Sequence, residues 1–553
     1  METIRNKKQF ALYIGLTAAI IIILNIAFRS LFVRIDLTKN NIYSLSKSSK
    51  KVLKNLEDPV TAKVFFSKNL PGKSGKTKRY LQDILEEYHA YSKGKFEFNF
   101  IDVSDKEGKQ QARDYRIRPV QMQVLKNDQQ KIRNVYMGMV LLYHNNSERL
   151  PVIKNTKGLE YDITTAMKKL SEQQRKTVGV LSSSSNKIKS SPQAISQAIS
   201  KSYNIRRVNL NRNIPNGVDV LLLNGIQDSL PKNKIYRLDQ FLMEGGKLFI
   251  GQSRVNDKLN SGQPKGELIQ SNIFAFLEHY GLNVTKDLLI DKNSGKVQMM
   301  QQRGNFQMPI AIKYPPLMNI TNMNKNHPIV EDIEQVQLMF ANKLALSDSS
   351  VKFTPLLKTS HETGSIQPKK MRPSRRQMMM MQKTGRKAQM ITGMGYNLQP
   401  NVAKLNMNNP AMNSFPLGPQ VVSGIVHGRA TSYFKGDTAF SNKKGFTKQT
   451  SDAEILLVTD NKIFNGKKQR GGRLKQNQDF ILNSVDYLLG ETSLIDLRSR
   501  KITSRPLDQL SSGQKQFWKW LNILLPSLLV LIYGAYRMKR NKDKQKILEE
   551  LYG

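Results

Sequence analysis

The segment Gly72-Lys73-Ser74-Gly75-Lys76-Thr77 has the residue types of a phosphate-binding loop, and it falls between a predicted strand and a predicted helix, where such a loop belongs. A Walker loop ending at Gly75-Lys76-Thr77 needs glycine at position 70, and one ending at Gly72-Lys73-Ser74 needs it at 67. Those positions hold Leu70 and Ser67. Without that glycine the backbone cannot cradle phosphates well, and an ordinary basic turn is expected instead.

The remaining chemistry-bearing residues are dispersed. His89, His144, His279, His327, His361 and His427 show no pair at helical metal-ligand spacing and no glutamate placed as in a metalloprotease. The chain has no cysteine, which excludes disulfides, thiolate metal sites and a thiol nucleophile. Gly245-Gly246 precedes an apolar run and is expected to cap a helix rather than bind an anion. The expectation is a protein that is not an enzyme, with no catalytic residues, no metal and no cofactor.

The elements that would carry any site read as α/β. Ser46 is placed to cap a short helix bearing Val52, Leu53 and Leu56. Strand 60–67, helix 77–91 and strand 96–103 form a βαβ unit; two more strands, at 119–124 and 136–143, complete a thioredoxin-like domain over 34–157. Pro119 is open to either a cis or a trans bond. A second α/β domain starts at 158 and runs through strands at 177–181, 218–223 and 247–250 with helices between them, predicting a doubly wound parallel sheet over 158–360. From 361 to 420 the apolar period disappears in a basic Met/Gln-rich insert, expected to be disordered. Residues 421–505 complete the domain, with a strand ending at Asp460 and a helix from 478 to 489.

Two apolar stretches bracket this body. Phe10 to Phe28 is uncharged and includes Ile20, Ile21, Ile22 and Ile23; at 1.5 Å per residue it spans roughly 28 Å, the thickness of a hydrocarbon core. It predicts a transmembrane helix within 10–33, after a cytoplasmic tail of residues 1–9. The second, 520–536, follows a linker at 506–519 and carries Leu524, Leu525, Leu528 and Leu529. Trp518 and Trp520 stand at one end and Tyr533 and Tyr536 at the other, as interfacial belts require. Basic flanks, including the tail 537–553, predict both termini in the cytoplasm and the body in the periplasm, at the inner membrane.

Lys plus Arg number 87 against 43 Asp plus Glu, a net charge of +44 that seeks anions. With the body extracytoplasmic, nucleic acid is not expected as a partner. An anionic lipid or an acidic protein surface fits the basic insert around Lys369, Lys370, Arg372, Arg375 and Arg376.

Asp36-Leu37-Thr38, Tyr43-Ser44-Leu45-Ser46, Gly245-Gly246-Lys247-Leu248, Asn326-His327-Pro328-Ile329, Asn483 to Gly490 and Arg498-Ser499-Arg500-Lys501, in this order, carry a family resemblance. The chain resembles the auxiliary, substrate-binding-type subunit of gliding-motility ABC transporters of Bacteroidota, the GldG-type family. The resemblance implies a non-catalytic membrane subunit beside a separate permease and a separate cytoplasmic ATPase. The basicity and the Met/Arg-rich insert depart from that pattern. A free-standing receptor for an extracytoplasmic solute or polysaccharide is the alternative, and an envelope enzyme ranks behind both.

Overall fold

The computed structural model describes residues 15–17, 44–68, 70, 73–126, 129–154, 156, 158–172, 174–181, 193–259, 264–303, 306–347, 352–370, 393–401, 409–464, 473–499 and 512–552. The chain divides into two compact units, Met1–Lys501 and Ile502–Gly553.

The first lobe of the larger unit opens with α1 (Lys47–Lys54), whose N-cap Ser46 accepts a hydrogen bond from the Ser49 backbone. Then come β1 (Val60–Phe66), α2 (Lys73–Ser92), β2 (Phe96–Ile101) and α3 (Lys106–Asp114). A separate hairpin, β3 (Val120–Lys126) and β4 (Gln129–Val135), leads to β5 (Met137–Tyr143) and β6 (Asn146–Leu150). Sheet order is β2-β1-β5-β6. β1 and β2 are parallel and the other neighbours antiparallel, so α2 serves as the crossover. The strand expected at 119–124 lies in the hairpin instead of the sheet. Among the described residues no peptide bond is cis, so Pro119 is trans.

α4 (Leu159–Ser171) belongs to both lobes. Leu159, Ile163, Ala166 and Met167 enter the first lobe's core, while Tyr161 enters the core of the second. The second lobe begins with β7 (Thr177–Leu181), α5 (Gln193–Ile199), β8 (Asn204–Val208), β9 (Val220–Asn224), α6 (Lys232–Met243) and β10 (Lys247–Gly251). Every residue of β9 is buried, which is why it reads as the unbroken apolar run of a strand covered on both faces.

Two corrections to the expected fold follow. The sheet is not purely parallel. Strands β8, β7, β9, β10 and Gln449–Val458 run parallel, but Val421–Thr431, Lys352–Lys358 and Asn322–Met323 extend the eight-stranded sheet antiparallel. Between β10 and this return the chain builds further antiparallel sheets, including the long pair Ser294–Arg303 and Phe306–Ile320. The architecture is therefore mixed α/β with many strands. Within 361–420, strands Thr363–Ile366, Lys369–Lys370 and Met394–Asn397 and a 3-10 turn at Pro410–Asn413 are formed; Arg372, Arg375 and Arg376 lie outside the described residues.

The second correction concerns the two bracketing transmembrane helices. Phe10, Ile20, Ile21, Ile22, Ile23 and Phe28 lie outside the described residues. The stretch 520–536 lies in the terminal helix Ser512–Tyr552, and among the described residues no helix is long and apolar enough to cross a membrane. Asn522, Pro526, Ser527 and Gly534 interrupt the apolar run, and Lys519 and Arg537 close it at either end. A bilayer-spanning helix needs about 20 predominantly apolar residues.

Candidate functional site

In doubly wound sheets, ligands bind beyond the carboxyl ends of the parallel strands. Beyond β9, β10 and the strand Gln449–Val458 that end is filled by the chain itself; residues 182–192, which follow β7, lie outside the described residues. Thr459 Oγ1 donates to the Asn342 carbonyl at 2.7 Å, and Asp460 Oδ2 and Oδ1 accept from the backbone N–H groups of Met339 and Lys462, each at 2.8 Å. Gln252 donates to the Ile226 carbonyl and accepts from the Ile226 N–H, and Asn461 Nδ2 donates to the Val255 carbonyl. Gly251 has no room for a side chain: a Cβ there would lie 2.5 Å from the Ile463 side chain and 2.9 Å from the Asp460 carbonyl. The strand ends at Val458, two residues short of the expected Asp460, and that acid is a brace for the β-rich part.

The phosphate-loop-like segment is no loop. Gly72 lies outside the described residues, Lys73 to Thr77 open α2, and Ser74 and Thr77 are buried in helix–sheet packing, with Ser74 Oγ against Met122 Sδ. Gly245 and Gly246 cap α6. Gly245 has φ +93°, its N–H donates to the Leu242 carbonyl, and the Gly246 N–H reaches back to the Phe241 carbonyl at 2.9 Å. Histidines are occupied singly: His89 Nδ1 lies 2.8 Å from the Phe96 carbonyl, His144 pairs with Asp58, and His279 Nε2 lies 2.9 Å from the Thr431 carbonyl. His327 sits beside Tyr487; burial, then the neighbouring His427, hold its pKa below the ordinary value. No group of three or more metal-ligating side chains occurs among the described residues.

A polar network lies at the seam of the two lobes. Arg498 NH2 donates to Asp486 Oδ2 at 2.7 Å and to the Tyr161 hydroxyl at 3.0 Å, while NH1 donates to Asn483 Oδ1. Tyr203 donates its hydroxyl proton to Asp486 Oδ1 at 2.6 Å. The side chains of Asp486 and Arg498 are 1% and 3% exposed, so the pair is desolvated and survives on geometry. Burial, and then the Asp486 carboxylate, push the Tyr203 pKa well up, fixing it as the donor. It joins α4 to helices Arg473–Leu488 and Thr492–Ser499. No role for Asp486 or Arg498 was drawn from the sequence. The available signal was an acid and a base among the apolar positions Phe480, Ile481, Val485, Leu494 and Leu497.

The predicted anchor residues of the second apolar stretch are all exposed. Trp518, Trp520, Leu524, Leu525, Leu528, Leu529, Tyr533 and Tyr536 lie on the terminal helix with Phe517, Ile523, Leu531 and Ile532 also open. Arg537, Lys539, Arg540 and Lys542 follow on the same helix. An apolar surface of this length is the mark of an interaction site. Of the basic insert, Lys369 and Lys370 are exposed on an edge strand.

Residues 175–390 match the family described as an ABC-type uncharacterized transport system, and residues 39–142 match a domain of unknown function. The first match supports an accessory role in ABC-type transport and association with other transport components. An uncharacterized protein of Borreliella burgdorferi (strain ATCC 35210 / DSM 4680 / CIP 102532 / B31) is 21% identical, over 97% of this chain and 99% of its own length. Among solved structures, the mmIFT52 N-terminal domain aligns with 57% of this chain and 97% of its own at 11% identity and a TM-score of 0.31. A ThuA-like protein from Bacteroides uniformis aligns with 33% of this chain and 67% of its own, at 10% identity and a TM-score of 0.19.

Proposed function

We propose that the chain is the non-catalytic, substrate-binding-type accessory subunit of an ABC transporter, working beside a separate permease and a separate ATPase. The observation that carries this reading is the exposed apolar surface of the terminal helix, from Phe517 to Tyr536. Burying one Leu or Phe side chain is worth about 1.5–3 kcal/mol; twelve such residues left in water require a cover. The occupant proposed is the apolar flank of the permease, and the family match of residues 175–390 favours a transport component as that partner.

The complex would sit at the cytoplasmic membrane through its permease, with the body of this chain on the extracytoplasmic side, where a substrate-binding type of subunit works. A link to gliding motility rests on the motif order from Asp36 to Lys501.

The test is gentle detergent extraction of the tagged chain and identification of co-eluting proteins, for the parent and for Leu524→Glu with Leu528→Glu. A permease and an ATPase should elute with the parent and be lost from the variant; their absence from both sinks the proposal. Sidedness is checked with a cysteine at exposed Lys292, since the chain has no other thiol. Labelling of intact cells by a membrane-impermeant maleimide, after outer-membrane permeabilisation, is expected. Labelling only after lysis refutes the sidedness.

A further inference from the structure

The four-stranded sheet ends at β6, which pairs with β5 on one side and, among the described residues, with no strand on the other. Among the described residues, no hydrogen bond except those to β5 joins the backbone of Asn146–Leu150 to the rest of the chain. A groove runs along that open edge. One cavity of about 480 Å³ is lined by Arg149, Val152 and Lys154 on the strand side, by Asp162 and Thr165 of α4, and by Lys201 of the second lobe. Another of about 450 Å³ continues past the other end of β6, between Asn146 and Ser147, Lys169 of α4 with Glu172 just after it, and Asn204 of β8. The two share Glu148, so together they follow the whole strand with a helix for a floor.

The lining also specifies charge. Glu148 pairs with Lys169 at 2.5 Å and Asp162 with Lys201 at 3.8 Å, while Glu172 shares Lys168, at 3.3 Å, with Glu491 at 2.5 Å. Arg149 and Lys154 are exposed in the groove with no acidic partner among the described residues. Thr165 lies against it, buried, and its hydroxyl has no hydrogen-bond partner among the described residues. An edge strand usually blunts itself with charge, a bulge or a cover. Here the strand carries charges of both signs, and the acidic one is already paired.

We propose that this groove accepts an extended, acidic segment of a partner protein, which adds to β6 as a fifth strand of the sheet. Main-chain hydrogen bonds to Asn146–Leu150 hold the segment, and alternate acidic side chains meet Arg149 and Lys154. A strand of five residues is about 17 Å long, so a seven-residue peptide covers it. This inference is independent of the terminal helix and of the transport reading.

The probe is a fluorescein-labelled peptide alternating glutamate and valine over seven residues, titrated into the full chain and read by anisotropy. A second peptide has proline for valine, keeping the charge while removing backbone donors, and a third has lysine for glutamate. The acidic peptide should saturate, and the proline peptide should bind at least about tenfold more weakly because strand addition needs backbone N–H groups. The lysine peptide should not bind. Amide exchange should slow at 146–150 in the complex. Arg149→Glu with Lys154→Glu, both surface positions, should reverse the preference and bind the lysine peptide.

Equal binding of the proline and valine peptides would reduce the site to a patch of positive charge and overturn the proposal. So would saturation with protection elsewhere, or no saturable binding. Protection of 146–150 that rises with protein concentration in the absence of peptide would assign the edge to a second copy of this chain and equally overturn it.

Discussion

Replacing Arg498 with methionine tests the seam network most directly, since the side chains have similar reach and only the charge and donors are lost. Asp486 would remain at 1% exposure with a single strong donor, the Tyr203 hydroxyl. Removing one member of a buried pair costs about 3–5 kcal/mol, because the stranded charge cannot recover its water. Tyr161 and Asn483 also lose their contacts with the guanidinium, so the upper half of that range is expected. At about 2–4 °C per kcal/mol for domains of this size, the thermal midpoint should fall by roughly 10 °C. Removing both charges, with Asp486→Leu and Tyr203→Phe added, should return most of the loss, because an apolar cluster of matching volume replaces a desolvated pair at little cost. Urea denaturation followed by circular dichroism measures all three proteins, and amide exchange in α4 reports whether the lobes loosen together. The reasoning is refuted if Arg498→Met costs less than about 1 kcal/mol, or if the triple variant is no more stable than the single one.

Three further outcomes follow from single positions. Gly245→Val places a β-branched residue at φ +93° and should cost about 1–3 kcal/mol, read as a lowered urea midpoint. Asp239→Asn disturbs a buried carboxylate that accepts from Tyr280 Oη at 2.6 Å, Ser432 Oγ at 2.6 Å and the Tyr433 N–H at 2.7 Å. An amide faces one of those donors with a donor of its own, and a loss of about 1–3 kcal/mol is expected by the same measurement. His327 has a folded pKa below its ordinary 6.5, with burial the first cause and His427 the second. The unfolded chain therefore takes up the proton first, so the contribution is complete above about pH 6.5 and is lost as the pH falls through the depressed folded value. His327→Gln should flatten the stability profile in that window.

The parts legible in the sequence are those set by local pattern. Continuous apolar runs such as Val220–Leu223 and Leu248–Ile250 have few structural options besides buried parallel strands, and Gly245-Gly246 after an amphipathic run has few besides a helix cap. The antiparallel extension of the sheet was not legible, because Val421–Thr431 and Lys352–Lys358 are joined in space across a long insertion and carry no mark of partner or direction. The expectation of a spanning helix at 520–536 was overturned for a related reason: it weighed aromatic and basic flanks above the interruptions at Asn522, Pro526 and Gly534. The seam was hidden because Asp486 and Arg498 each look like one solvated residue on a helix. Only the fold makes them a buried pair.

Where this chain can meet another molecule follows from what it has already used up. Beyond β9, β10 and the strand Gln449–Val458, the side chains that would face a small ligand in an open sheet hold other parts of the same chain: Gln252 the loop at Ile226, Thr459 the carbonyl of Asn342, Asp460 the backbone of Met339. Opening that crevice for a solute would expose several buried polar groups at about 1–3 kcal/mol each, a steep opposition to capture. Two surfaces carry no such opposition. One is the unpaired edge of β6 with its cationic neighbours, and the other is the apolar length of the terminal helix. Both suit extended macromolecular contacts better than enclosure of a small molecule, as an accessory subunit that acts through its partners requires.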